Sequence, residues 1–128
     1  MTTDGRATIA VVEDDAGVRT ALRQLLRAAD FDALTFESAE EFLRAWRRDA
    51  VDCLVADVNL PGMNGVALLR ELAAAGARLP AVLMTARDDP ATIELIRRAA
   101  PVPHLRKPFS DDAFFDAIAR ALRARDAD

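Results

Sequence analysis

The chain has 128 residues, 52% of them apolar and 30% charged, with a formal net charge of −4. That composition suits one globular domain with a real core rather than a disordered chain. Its interspersed charges argue against binding nucleic acid by charge alone, no apolar run approaches the roughly 18 residues of a membrane span, and the single cysteine, Cys53, builds neither an internal disulfide nor a thiolate metal site.

The polar start Met1-Thr2-Thr3-Asp4-Gly5-Arg6 lacks the apolar centre of an export signal, so a cytoplasmic protein is expected. Ala7–Val12 is a first apolar run. Residues that are apolar at successive positions suit a strand buried on both faces. The run ends in Glu13-Asp14-Asp15. Val18, Leu22, Leu25, Leu26 and Ala29 then recur at helical spacing. Ala33–Phe36 is the second run. Ser38 with Glu41 makes a capping-box pattern ahead of Phe42 and Leu43, and Trp46 falls on the same helix face as packing. Cys53–Ala56 is the third run and leads into Asp57, then Val58-Asn59-Leu60-Pro61-Gly62. Asn64-Gly65 opens the helical stretch Val66–Ala75, which Gly76 closes.

Ala81–Met84 is the fourth run, ending in Thr85-Ala86. Asp89-Pro90 reads as an N-cap followed by proline at the first helical position. The fifth run, Pro103–Leu105, is weak and ends in Arg106-Lys107-Pro108. The prolines of Ala99-Ala100-Pro101-Val102-Pro103 restrict the backbone and remove two N–H donors, so this strand is expected to be short or irregular. Ser110-Asp111-Asp112 starts a last helix whose apolar face is Phe114, Ala117, Ile118, Ala121 and Leu122.

Five β/α units in succession imply parallel strands, right-handed crossovers and helices on both faces. The expected fold is α/β: a flavodoxin-like (βα)5 three-layer sandwich with a five-stranded parallel sheet in order 2-1-3-4-5. It is read as one domain over residues 1–128, with its core at about 8–123. Ligands of such sheets bind beyond the carboxyl ends of the strands, near the reversal of strand order. The polar groups with chemical potential all fall at that edge.

Strands 1 and 3 are neighbours in this order, so Asp14, Asp15 and Asp57 are expected to converge. Three close carboxylates repel, and a hard divalent cation such as Mg²⁺ relieves the conflict, with Mn²⁺ an alternative. Asp15 taken alone reads equally well as the cap of the next helix. Asp57 emerges from a buried run into a Pro-Gly turn, where a carboxylate can attack phosphorus to give an acyl phosphate. Thr85 supplies a hydroxyl donor. Lys107 is the only lysine among seventeen basic residues, and a compact ammonium differs from a guanidinium as a partner for phosphoryl oxygens.

Glu13-Asp14-Asp15, Asp57 with Leu60-Pro61-Gly62-Met63-Asn64-Gly65, Met84-Thr85-Ala86 and Lys107-Pro108-Phe109 together resemble the receiver domains of two-component response regulators. The likeness covers about Thr8 to Arg123, and the texture is most similar to receivers of the nitrogen-fixation regulator type. The resemblance implies a bacterial signalling switch rather than a metabolic enzyme. Asp57 would accept a phosphoryl group from a sensor histidine kinase or a histidine phosphotransfer protein. Asp14, Asp15 and Asp57 would hold Mg²⁺ with the backbone carbonyl of Asn59. Thr85 would bind the phosphoryl group and reorient, and Lys107 would bridge to Asp57.

It also implies a downstream protein partner or an output domain outside this chain, with a phosphorylation-dependent homodimer as a further arrangement. Neither nucleic acid nor membrane is an expected direct partner. One departure is His104, the only histidine, where receivers usually carry Tyr or Phe. It reads either as an exposed edge residue or as a polar switch residue. The proline loop before it is the other departure. A receiver-like module that takes no phosphate should have lost one of Asp14, Asp15, Asp57, Thr85 or Lys107. A haloacid dehalogenase-type phosphohydrolase would carry an acid at the position of Asn59 and a cap domain. A flavin carrier would not follow its first strand with acids.

Overall fold

Residues 6–126 are described in a computed structural model of the chain. Residues 1–5, which carry most of the polar start, and residues 127–128 at the far end of the expected domain lie outside them. The elements run β1 (Thr8–Val12), α1 (Ala16–Ala28), β2 (Asp32–Phe36), α2 (Ala39–Ala45), β3 (Cys53–Asp57), α3 (Gly65–Ala74), β4 (Ala81–Thr85), α4 (Pro90–Arg98), β5 (His104–Arg106) and α5 (Asp111–Asp126). The strands form one parallel sheet in the order β2-β1-β3-β4-β5.

The two-residue period of a strand builds two cores from one sheet. Ile9, Val11, Cys53, Val55, Val82 and Met84 face Leu22 and Leu26 of α1 and Phe114 and Ile118 of α5. Their neighbours Ala10, Val12, Leu54, Ala56 and Leu83 face Phe42 of α2 and Val66, Leu68 and Leu72 of α3, with Leu95 and Ile96 of α4 packed alongside. The central strands β1, β3 and β4 are buried at every position. The edge strands are not, although their apolar runs look similar in sequence. In β2 only Ala33 is buried and Leu34 is 42% exposed, because a strand at the sheet margin has one neighbour and thinner helical cover. At the other margin β5 has three residues. Both Ala100–Pro101 and Lys107–Pro108 are cis.

All five helices start alike. The side chain of Asp15, Ser38, Asn64, Asp89 or Ser110 accepts a hydrogen bond from the backbone N–H three residues on. The Ser38 box closes one residue early, since Glu41 accepts from the Glu37 N–H. Trp46 caps α2 and stacks on Phe42 at 5.6 Å between ring centroids. Gly76 ends α3 with φ at 79°.

Gly65 is required for another reason. A Cβ there would lie 2.5 Å from the carbonyl oxygen of Asp57 and 3.2 Å from Cα of Val58, both backbone atoms. The start of α3 therefore presses directly on the end of β3. Gly65→Ala is expected to destabilise the domain by about 2 kcal/mol, since backbone cannot yield as a side-chain tip can. Urea denaturation measures this, and an unchanged midpoint would show that the contact relaxes freely.

Candidate functional site

The core facing α1 and α5 contains the stripes Ile9–Val11, Cys53–Val55 and Leu105. Continuing each by one two-residue step reaches Glu13, Asp57 and Lys107. Val12 pairs with Ala56, so Glu13 and Asp57 leave neighbouring strands at one level. The N–H of Lys107 donates to the Thr85 carbonyl at 2.8 Å, extending the β4–β5 pairing by one residue. Its ammonium donates to Asp57 Oδ2 at 2.7 Å and to Glu13 Oε1. The other oxygen of Asp57, Oδ1, accepts from the Asn59 N–H at 2.8 Å.

Glu13 is 1% exposed and Asp57 6%, while Asp14 is exposed at the mouth. Glu13, Asp14 and Asp57 each offer a carboxylate oxygen, and these oxygens lie within 4.8 Å of one another. This cluster of hard oxygen donors fits a divalent cation. Its three carboxylates and one ammonium sum formally to −2, the charge a dication offsets.

The expected convergence of Asp14, Asp15 and Asp57 is corrected at one residue. Asp15 Oδ1 accepts from the Val18 N–H at 3.0 Å and so caps α1, and Glu13 takes its place in the cluster. The third acid after β1 is already the residue before a helix, where free backbone N–H groups capture it. The signal for Glu13 was present in the alternation Ile9, Val11, Glu13. Arg19 was also missed. It lies 17% exposed, and its Nη1 donates to the backbone carbonyls of Glu13 at 2.8 Å and Asp14 at 3.0 Å, bracing the loop that carries both acids.

Burial pushes the Glu13 carboxyl up, the Lys107 hydrogen bond opposes this, and the nearby Asp57 charge adds to it; the net direction is above the usual carboxylate value. Burial pushes Lys107 down, but its hydrogen bonds to Asp57 and Glu13 prevail and hold it above an ordinary lysine. One cation shared by two buried carboxylates gives this asymmetry: the lysine is over-served and Glu13 under-served.

Thr85 falls on the opposite face, in step with Leu83, and turns toward α4. Its hydroxyl donates to Asn59 Oδ1 at 2.7 Å and accepts from the Arg87 N–H at 3.0 Å. Asn59 Nδ2 donates to Thr92 Oγ1 at 3.1 Å, and the Thr92 hydroxyl donates to Asp89 Oδ1 at 2.8 Å. Arg87, at the mouth, pairs with Asp89 at 3.0 Å. The Thr92 hydroxyl, then desolvation in opposition, then the Thr92 N–H and the Arg87 charge leave the Asp89 carboxyl below its usual range. His104 is exposed and lines a shallow depression with Ile93, Ile96 and Val102.

A parallel α/β sheet with buried acids and a lysine at its carboxyl edge defines a class of signalling domain. The chain belongs to the response regulator receiver domains, a family that matches residues 9–119. The transcriptional regulatory protein FixJ of Bradyrhizobium diazoefficiens is 38% identical over 124 residues, covering 96% of this chain and 59% of FixJ. Nodulation protein W of the same organism is 37% identical over 117 residues, covering 91% of this chain and 51% of that protein. The chain thus spans little more than half the length of these two relatives. Among solved structures, FixJ-N superposes with a TM-score of 0.80 at 32% identity, covering 91% of this chain and 94% of that one. The response regulator StyR gives 0.83 at 40% identity, covering 94% and 61%. Among the described residues, no helix is long and apolar enough to cross a membrane.

Proposed function

We propose that Asp57 accepts a phosphoryl group with Mg²⁺ bound at Glu13, Asp14 and Asp57, the backbone carbonyl of Asn59 completing the protein's share of the ligands. The observation that carries this reading is the buried Asp57 carboxylate held by Lys107 beside two further acids. A carboxylate oxygen of Asp57 forms the new P–O bond as the bond from phosphorus to the donor breaks, and the donor leaves with that bonding pair. Mg²⁺, when bound, supplies charge neutralisation at the phosphoryl oxygens. Lys107, already 2.7 Å from Asp57 Oδ2, holds the nucleophile and then the phosphoryl group.

In the same reading Thr85 is the residue that moves on phosphorylation, and His104, whose strand lies beside Thr85, is the position on β5 that responds. The donor is a phosphohistidine on a sensor kinase or phosphotransfer protein, and the receiver acts in the cytoplasm on an output domain or a separate protein partner. Lys107, Asp57 and Thr85 do chemistry on the domain itself, so a small acyl phosphate should also serve as donor. Incubation with acetyl phosphate tests this. Intact mass is expected to show one phosphoryl addition that requires Mg²⁺ and is absent from Asp57→Asn. A folded wild-type protein that takes no phosphoryl group, with the donor active on another receiver, would overturn the assignment.

A further inference from the structure

The Thr85 hydroxyl has one proton and two acceptors in reach, Asn59 Oδ1 at 2.7 Å and the Arg87 carbonyl at 3.2 Å, and the shorter bond takes it. The direction of that bond is set from the far end of a chain. Asp89 is a carboxylate and accepts only, so the Thr92 hydroxyl must donate to it. Thr92 Oγ1 is then left as acceptor for Asn59 Nδ2. The Asn59 carboxamide therefore turns its oxygen to Thr85. Thr92 is 2% exposed, so water does not substitute readily for any of these partners.

We infer that Thr92 is a positioning residue: through Asn59 it holds the Thr85 hydroxyl in a latch between the end of β4 and the first turn of α4. The inference rests on the assignment of Asp57 as phosphoacceptor and deepens it. A phosphoryl group on Asp57 that recruits Thr85 takes the proton now given to Asn59. Asn59 Oδ1 then loses its donor, and the pull on Thr92 and Asp89 changes at the N-terminus of α4. The latch thus opposes phosphoryl binding and links it to the β4–α4 segment, residues 85–92. Asn59, remote in sequence, joins the polar side chains at 85, 89 and 92 in one directional chain.

Thr92→Val keeps the shape of the side chain and the backbone N–H that Asp89 caps, and removes only the hydroxyl. Thr92→Ser restores it. The probe is beryllium trifluoride with Mg²⁺, a phosphoryl stand-in, followed by amide NMR on the whole chain. Without the fluoride, Thr92→Val is expected to move the amides of residues 85–93 from their wild-type positions toward the fluoride-bound ones. Its half-saturating fluoride concentration should fall about threefold to tenfold, the scale of one lost hydrogen bond. Thr92→Ser should match wild type in both readouts. If wild type binds the fluoride and Thr92→Val gives wild-type shifts and affinity, the latch is refuted alone. A Thr92→Val that only melts earlier, with no movement along that line, refutes it as well. Failure of wild type to bind the fluoride overturns the phosphoacceptor assignment and the latch together.

Discussion

Glu13→Gln is expected to weaken Mg²⁺ binding at least about tenfold, the lower end of what losing a carboxylate partner of a metal costs, and at the same time to stabilise the metal-free protein. The two effects share one cause. Glu13 is 1% exposed and shares the Lys107 ammonium with Asp57. Its carboxyl sits above the usual value because burial and the Asp57 charge outweigh the lysine. A raised folded-state value means that the stabilising contribution of Glu13 is fully present below its unfolded value and is lost as pH rises through the folded one. At neutral pH the ionised form is a burden that Lys107 relieves in part and a bound dication relieves further. Glutamine removes the charge, keeps an oxygen for the lysine, and should raise metal-free stability by about 1 kcal/mol, the scale of a typical substitution.

Asp15→Asn should do neither, since asparagine caps a helix as well as aspartate does and this side chain serves α1. Calorimetric Mg²⁺ titration and thermal melts in chelator measure both quantities. A tenfold loss of Mg²⁺ affinity in Asp15→Asn, with Glu13→Gln unaffected, would return the metal site to the acid pair Asp14 and Asp15. In the wild type, Mg²⁺ affinity should fall as pH falls, because the proton taken up by Glu13 competes with the cation.

Lys107→Ala should slow phosphoryl transfer from acetyl phosphate by about 10²–10³, the usual effect of removing one preorganised donor from a site of developing charge. It should also destabilise the domain by about 3 kcal/mol at neutral pH, the low end for stranding a buried charge, because the lysine side chain retains 18% exposure. The lysine is held above its ordinary value. Its contribution is therefore fully present below the unfolded value and is lost only as pH rises through the folded one. The variant forfeits it across the whole neutral range. Acidification should narrow the gap from wild type, as Glu13 takes up a proton and one stranded charge disappears. Lys107→Arg should not restore the rate, since a planar fork cannot replace a compact ammonium between two carboxylates. Mass-resolved time courses give the rate, and urea denaturation at about pH 5 and about pH 8 gives the stability. Equal rates for Lys107→Ala and wild type would remove Lys107 from the chemistry.

Much of the architecture was legible because its causes are local. An apolar run at successive positions marks a central strand, as at Cys53–Ala56. A short polar residue before an apolar period marks a helix start, as at Ser38, Asn64, Asp89 and Ser110. Alternation of the two kinds of segment restricts the sheet to parallel order, and that order puts Asp57, Thr85 and Lys107 at one edge. Edge exposure was not legible. Ala33–Phe36 reads like Ala81–Met84, and only its place at the sheet margin leaves Leu34 exposed.

By itself, then, the sequence determined the fold class, the edge at which chemistry lies, and the identities of Asp57, Thr85 and Lys107 as its candidates. The tertiary structure decided how three consecutive acids divide their work. The third acid stands where the first turn of α1 begins, and the N–H of Val18 takes its carboxylate as a cap. It also decided that Lys107 has a second partner in Glu13, 94 residues away, and that Thr85 reaches α4 through Asn59. Capping and periodicity act over about four residues. These pairings depend on the register of strands that meet only when the whole sheet has formed.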